Sequence, residues 1–237
     1  MTEFIVSVVS SIVGALILIF ATGLVSRRAR WILTGLTSRL LGVDIDYVYE
    51  NKKDLQDDLV AELKRTHNVS ILTGRGNEFQ RDTFAPLFMP SPKNSHERVR
   101  ILLPATQLQQ GEYDFIQQRE EEMVRIDSAY GKRLLHSQIE ANVKFLQQHL
   151  KADHVELRQF NFPHQGRIIV TERYVYFTPY RGDSHGRDNP IYKFGRGGEM
   201  YDNWLRLFEQ YWYAAAVQCD DLISKDFDTV KMNKEAE

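Results

Sequence analysis

The sequence predicts an α/β domain with a mixed sheet, carried behind one transmembrane helix. Three observations predict it: an uncharged opening run, short apolar runs alternating with amphipathic stretches behind it, and one late pair of runs close enough to form a hairpin. Hydrophobic residues make up 43% of the 237 and charged residues 26%, which excludes a disordered chain. The net charge of −2 carries no mark of a nucleic-acid binder, but it is unevenly spread. Between Phe4 and Val43 there is no acid, and Arg27, Arg28, Arg30 and Arg39 all fall there. Without Glu3 and those positions, 26 basic residues face 31 acidic ones. A basic, apolar front precedes an acidic body.

Phe4 opens and Val25 closes a run of 22 uncharged residues, FIVSVVSSIVGALILIFATGLV. As a helix it spans roughly 33 Å, enough for about 30 Å of bilayer hydrocarbon. Thr2 and Glu3 stand where a cleaved signal peptide would carry basic residues, and no small-x-small site precedes Arg27. A buried core helix is the remaining competitor. Arginines follow the run and none precedes it, so the positive-inside rule puts the N-terminus outside and the body in the cytoplasm, at a cell inner membrane. The single Cys219 fits a reducing compartment. Ser7, Ser11 and Ala15 share a helix face, and Ser10 lies four before Gly14, a small-residue spacing that permits self-association.

Residues 27–43 read as a basic amphipathic helix. Ile32, Leu33, Leu36 and Leu40 take one side, and Arg28, Thr34, Ser38 and Arg39 the other. Trp31 suits the headgroup layer, although the same pattern also serves a helix packed on the body. A short second span would have to bury Arg39. The organisation is therefore an anchor over 1–26, a juxtamembrane helix and connector over 27–50, a cytoplasmic domain over 51–223 and a flexible tail over 224–237.

Within the body, residues 44–50 read as connector. Residues 52–65 read as a helix, with Leu55, Leu59 and Leu63 every fourth position. Residues 69–73 form a short strand stopped by Gly74-Arg75-Gly76, with Asn77 capping a helix that carries Phe79, Phe84 and Leu87. Pro86, Pro90 and Pro92 break that helix into a loop. A second buried strand covers 99–103. Residues 112–150 are helical with a break at Tyr130-Gly131, and 155–160 alternate as a strand. Residues 167–171 and 174–177 make a tight hairpin. Residues 179–198 are a polar, glycine-rich loop. A last helix over 200–223 carries Trp204, Leu207, Phe208, Tyr211 and Trp212, a stripe that belongs to a core.

Gly74 and Gly76, between strand and helix, form a candidate anion cradle supplemented by Arg75 and Arg81. A tight turn explains the glycines equally well, because neither the third glycine of a dinucleotide fingerprint nor a Gly-Lys-Ser/Thr ending is present. His136, His149, His154 and His185 have no metal-ligand spacing and read as surface residues. Glu120-Glu121-Glu122 reads as a solvated helix face. No cofactor or metal is expected. The loop segments carrying Arg181 and Arg196 either close over an anionic ligand or are mobile connections.

The stretch FPHQGRIIVTERYVYFTPY over 162–180, with the element order over roughly 50–220, resembles the phospholipase D-like superfamily. The resemblance implies a mixed-sheet sandwich. In that family one strand carries histidine, any residue, lysine, four residues and aspartate. With Arg167 at the lysine, Gln165 takes the nucleophile's place and Glu172 the aspartate's. His164 is one residue out of step, and strand alternation would turn it away from Arg167. Glutamine cannot attack phosphorus, and active members pair two such motifs where this chain has one. The resemblance therefore implies that Gln165, Arg167 and Glu172 bind a phosphate without cleaving it. The enzymatic alternative is a homodimeric phosphodiesterase or nuclease using His164.

An anchored body of this build is similar to transmembrane effectors of bacterial anti-phage systems of the retron or cyclic-nucleotide type. That likeness implies a triggered effector that perturbs the inner membrane. It implies a regulatory partner such as a reverse transcriptase or nucleotide cyclase, and an anionic nucleotide ligand. A scaffold that recruits cytoplasmic partners to the bilayer is the third reading.

Overall fold

The computed structural model describes residues 2–25, 27–41, 44–50, 52–88, 96–108, 110–131, 133–149, 154–181, 186 and 188–215. Seven strands form one sheet: β1 (Ile45–Tyr49), β2 (Asn68–Leu72), β3 (Arg98–Pro104), β4 (Val155–Phe160), β5 (Gly166–Val170), β6 (Tyr174–Pro179) and β7 (Ile191–Gly195). Their spatial order is β1-β7-β6-β5-β2-β3-β4. The sheet is mixed, as expected. β2, β3 and β4 run parallel, and every other neighbouring pair is antiparallel.

The helices are α1 (Thr2–Val25), α2 (Arg27–Leu40), α3 (Lys52–Leu63), the single turn α4 (Ala85–Phe88), α5 (Phe115–Val124), α6 (Leu134–His149) and α7 over 199–215. Alternation along the strands sends Val69, Ile71, Val99, Ile101 and Ile169 into a core with Leu55, Leu59, Leu63, Ile139 and Leu146. Leu72, Leu102, Ile168, Val170 and Phe194 face the other way, onto Phe208 and Trp212. The parallel strands are covered on both faces, which is why they read as unbroken apolar runs. The aromatic stripe is core, with Phe208 and Trp212 buried and Phe177 stacked on Trp204 at 3.9 Å.

Several expectations are corrected. Residues 45–49 form the edge strand β1 rather than a connector, and 191–195 form β7 inside what reads as a glycine-rich loop. Each is only five residues long and takes its pairing from the other, a long-range cause that local composition does not carry. After β2 there is no helix over 77–84. The Phe79, Arg81 and Phe84 amides bond three residues back, to Gly76, Glu78 and Arg81, as successive tight turns. The helical stretch 112–150 divides into α5, a 3-10 turn (Ser128–Tyr130) and α6. Glu120 is buried and accepts from the Leu135 amide, so it is not part of a solvated face. His136 is buried beside Asp114 at 3.2 Å, and His154 is half-buried, so neither is a surface residue. His149, His185, Cys219 and the tail lie outside the described residues or side chains.

α2 packs on β1. Gly35 lies against the Asp46 carbonyl, where an added Cβ would sit 3.0 Å away, and the Ser38 hydroxyl donates to the Ile45 carbonyl at 2.8 Å. Leu36, Leu40 and Leu41 remain exposed on its other side. Along α1 the described side chains, including Phe4 (73% exposed), Leu16, Ile17 and Leu18, are all exposed. Among the described residues no helix is long and apolar enough to cross a membrane. The α1 backbone is a helix of 24 residues, roughly 36 Å at 1.5 Å per residue. The side chains of Val25, Arg27, Arg28, Arg30 and Trp31 lie outside the described set.

Candidate functional site

A cavity of about 240 Å³ opens at the C-terminal ends of the parallel strands, where Thr73 and Gly74 leave β2, Pro104 ends β3 and Phe160 ends β4. β2 is also where the sheet changes direction, with parallel β3 on one side and antiparallel β5 on the other. Helices and turns crossing a sheet leave a crevice at such a point. α5 covers the opening with Phe115, Ile116, Arg119 and Met123.

Arg167 forms the floor. It is 8% exposed, and the sheet pairs it directly with Thr178, whose hydroxyl accepts from Nη2 at 3.1 Å. Nη1 lies 3.5 Å from Oε1 of buried Glu78, while Nε is buried without a hydrogen-bond partner. Glu78 also accepts from the Thr73 hydroxyl at 2.8 Å. Burial raises the Glu78 carboxyl, but Arg167 and Lys52 outweigh it and hold the group below its ordinary value. Lys52, in the first turn of α3, reaches the same space. Desolvation and the arginines Arg167, Arg81 and Arg75 lower its ammonium to about 8 against the pull of Glu78.

The 74–76 turn takes a different part from the expected cradle. The Gly74 amide donates to the Tyr180 hydroxyl at 2.9 Å, so it is already engaged. A Cβ at Gly74 would lie 2.7 Å from His164 Nε2. Gly76 has φ +85°, a left-handed conformation that favours glycine, and it serves the turn. Arg75 lines the cavity but is held by the Tyr130 hydroxyl and by Gln138 Oε1 at 3.3 Å. Asn142 fastens the turn by donating to the Arg75 carbonyl at 2.8 Å.

His164 is brought into the cavity with Arg167, contrary to strand alternation. β5 begins at Gly166, so residues 161–165 are outside the strand and the two-residue period does not reach them. Gln165 is exposed, and its carbonyl takes the Tyr180 amide. Glu172 sits in the β5–β6 turn and accepts from Asn68 Nδ2 at 2.9 Å and the His67 amide at 3.3 Å. Glu172 is five residues along the chain from Arg167, at most about 17 Å of extended backbone, beyond the end of β5. The Arg196 amide bonds the Arg173 carbonyl at the same far end. Arg181 is not among the cavity's lining residues, and its carbonyl accepts from Arg119 Nη2 at 3.1 Å. Gly74, Arg75, Arg167 and His164 are thus brought together, and Gln165, Glu172 and Arg196 are not.

Lys52, Glu78, Arg119, Thr178 and Tyr180 join the site from four separate segments. The proximity of Glu78 to Gly74 was a usable signal, but the others meet only through the tertiary fold.

Burial, then the Arg119 charge, lower the His164 imidazole to about 4 against a bond to the Phe162 carbonyl. Its folded value is below the unfolded one near 6.5, so this group contributes stability above about pH 6.5 that is lost as pH falls towards 4. Proton NMR of the imidazole is expected to show a neutral ring at pH 6 and a midpoint near 4. A midpoint at or above 6 would mean that the ring is solvated.

Among the described residues no cluster of His, Cys, Asp and Glu is arranged to hold a metal ion. No protein-family model matches the chain, and no curated protein sequence does. Among solved structures the chain is similar to TrmBL2, an archaeal chromatin protein described as showing a novel mode of DNA binding. The identity is 13% and the TM-score 0.42, over 90% of this chain and 68% of that one.

Proposed function

We propose that this protein is a membrane-anchored, non-catalytic receptor for a phosphate-bearing anion, built on a phospholipase D-like domain, whose occupancy is relayed to the membrane. The observation that carries this reading is the charge of the cavity. Among the described residues, Lys52, Arg75, Arg81, Arg119 and Arg167 line it against Glu78 and Asp127. Arginine forks and a desolvated ammonium are well suited to phosphate oxygens.

The relay is the sheet itself. Arg167 and Thr178 belong to β5 and β6, which pair onward through β7 to β1, and β1 carries α2. The uncharged run over 4–25 of α1 and its exposed apolar side chains support a lipid-embedded anchor next to α2. On this reading the likeness to anti-phage effectors translates into ligand-gated perturbation of the inner membrane.

Calorimetric titration of the detergent-solubilised chain with inorganic pyrophosphate tests the receptor. Binding is expected, and it should weaken as pH rises through about 8, where Lys52 loses its proton. No binding at pH 7 would refute the reading. For the output, induced expression with a membrane-potential dye should show depolarisation that is lost when α1 is replaced by an unrelated transmembrane helix.

A second reading is favoured by one observation, His164 lining the same cavity as Arg167. Hydrolysis of bis(p-nitrophenyl) phosphate that disappears in His164→Ala would replace the receptor by a phosphodiesterase.

A further inference from the structure

α2 has two unlike sides. Gly35 and Ser38 are buried against β1, and the Ser38 hydroxyl donates to the Ile45 carbonyl at 2.8 Å. β1 is the last strand at its end of the sheet, so α2 is fixed to that end. At about 100° per residue, Leu36 and Leu40 project from the opposite side. Leu41 continues that side, its amide bonding the Thr37 carbonyl at 3.0 Å. The three leucines are 60%, 82% and 77% exposed. Grouped on one helix face, they form a docking surface rather than scattered apolar residues.

The place of α2 in the chain points to what covers them. Ser26 alone separates α1 from α2, so with α1 in the bilayer α2 starts at the membrane surface. Standing upright, α2 would carry Leu40 roughly 20 Å from that start, far beyond a headgroup layer about 6 Å thick. Lying along the surface, it would place the leucines about 5–10 Å into the headgroup–acyl boundary. Arg27, Arg28, Arg30 and Arg39, with no acid from Phe4 to Val43, match anionic headgroups. A second copy of the same helix would instead bring like charges together. We propose that Leu36, Leu40 and Leu41 insert into the headgroup boundary of an anionic bilayer, seating the domain in one pose by the β1 end of its sheet. Arg167, on β5, is three strand spacings from β1, about 14 Å. The inference rests on the reading of α1 as an anchor and adds how the body is held against the membrane.

For the test, the full chain carries Cys219→Ser and one of Leu18→Cys, Leu40→Cys or Gln56→Cys, labelled with an environment-sensitive fluorophore. It is reconstituted into vesicles of phosphatidylcholine and phosphatidylglycerol. Quenching is read from lipids with a nitroxide at the headgroup, from lipids with one deep in the acyl chain, and from aqueous iodide. The label at 18 should respond to the deep nitroxide and the label at 40 to the shallow one. The label at 56, an exposed position of α3, should respond to iodide alone. Adding Leu36→Gln and Leu41→Gln, both at exposed positions, should leave the label at 18 unchanged. It should cut shallow quenching at 40 roughly 3-fold or more, because two of three inserted side chains lose their apolar transfer. A label at 40 that iodide quenches and neither lipid does, with 18 deep, overturns the seating and keeps the anchor. A label at 40 shielded from lipid and iodide alike overturns it in favour of a protein partner such as a second copy. A label at 18 that no lipid quenches overturns both.

Discussion

Glu78→Ala is expected to lower the unfolding free energy by about 3–5 kcal/mol, the cost of breaking a buried ion pair from one side. Arg167 would remain buried beneath the sheet face with Thr178 alone as its partner, and the Thr73 hydroxyl would lose its acceptor. Against a total of about 5–15 kcal/mol for a typical domain, that loss takes the protein close to its folding threshold. Urea unfolding followed by tryptophan fluorescence measures it, with Trp204 and Trp212 of α7 as reporters within the body. A change below 1 kcal/mol would mean that Glu78 does not neutralise Arg167.

The pH dependence gives a second arm. The folded Glu78 carboxyl is held below its ordinary 4.5, so its contribution is present above that value and is lost as pH falls through the folded one. The wild type should therefore lose stability below pH 4.5 more steeply than Glu78→Ala. Pyrophosphate should also raise the variant's midpoint more than the wild type's, because an anion would replace the missing internal carboxylate.

The alternation of β2, β3, β4 and the β5–β6 hairpin was legible in the sequence because those strands bury continuous or alternating apolar residues. Leu55, Leu59 and Leu63 showed α3 for the same reason. β1 and β7 were not legible, since Ile45–Tyr49 and Ile191–Gly195 gain their strand character from each other and from β6. The site was legible in part. Gly74, Arg75 and Arg167 stand out as a turn and a basic strand residue, and they converge. Gln165 and Glu172 were drawn in by placing the phospholipase D-like motif on Arg167, and both fall beyond the ends of β5, where the chain has already left the strand. His164 was excluded by extending strand alternation back past Gly166, and the loop there is what brings it inside. Lys52 gives no local signal at all, because its role comes from a sheet it reaches only after folding.

The double substitution Arg167→Gln with Glu78→Gln separates the fold from the site. Either change alone leaves a buried charge uncompensated, whereas the pair leaves two amides of similar size that can bond each other and the Thr73 and Thr178 hydroxyls. Neutral replacement of a buried ion pair is commonly neutral or stabilising, so the double variant is expected within about 1 kcal/mol of wild type. The coupling energy from the double-mutant cycle should then approach the sum of the two single-variant losses, since the double variant loses little. Binding should not recover. Hydrogen bonds to charged groups contribute about 1.5–3 kcal/mol each, and losing those that Arg167 would offer a phosphate should weaken pyrophosphate roughly 100-fold or more. A folded double variant that binds pyrophosphate as tightly as wild type would remove Arg167 from the site. Stability restored without affinity is the expected result, because Glu78 neutralises Arg167 in the empty cavity and the anion would take over that task when it binds.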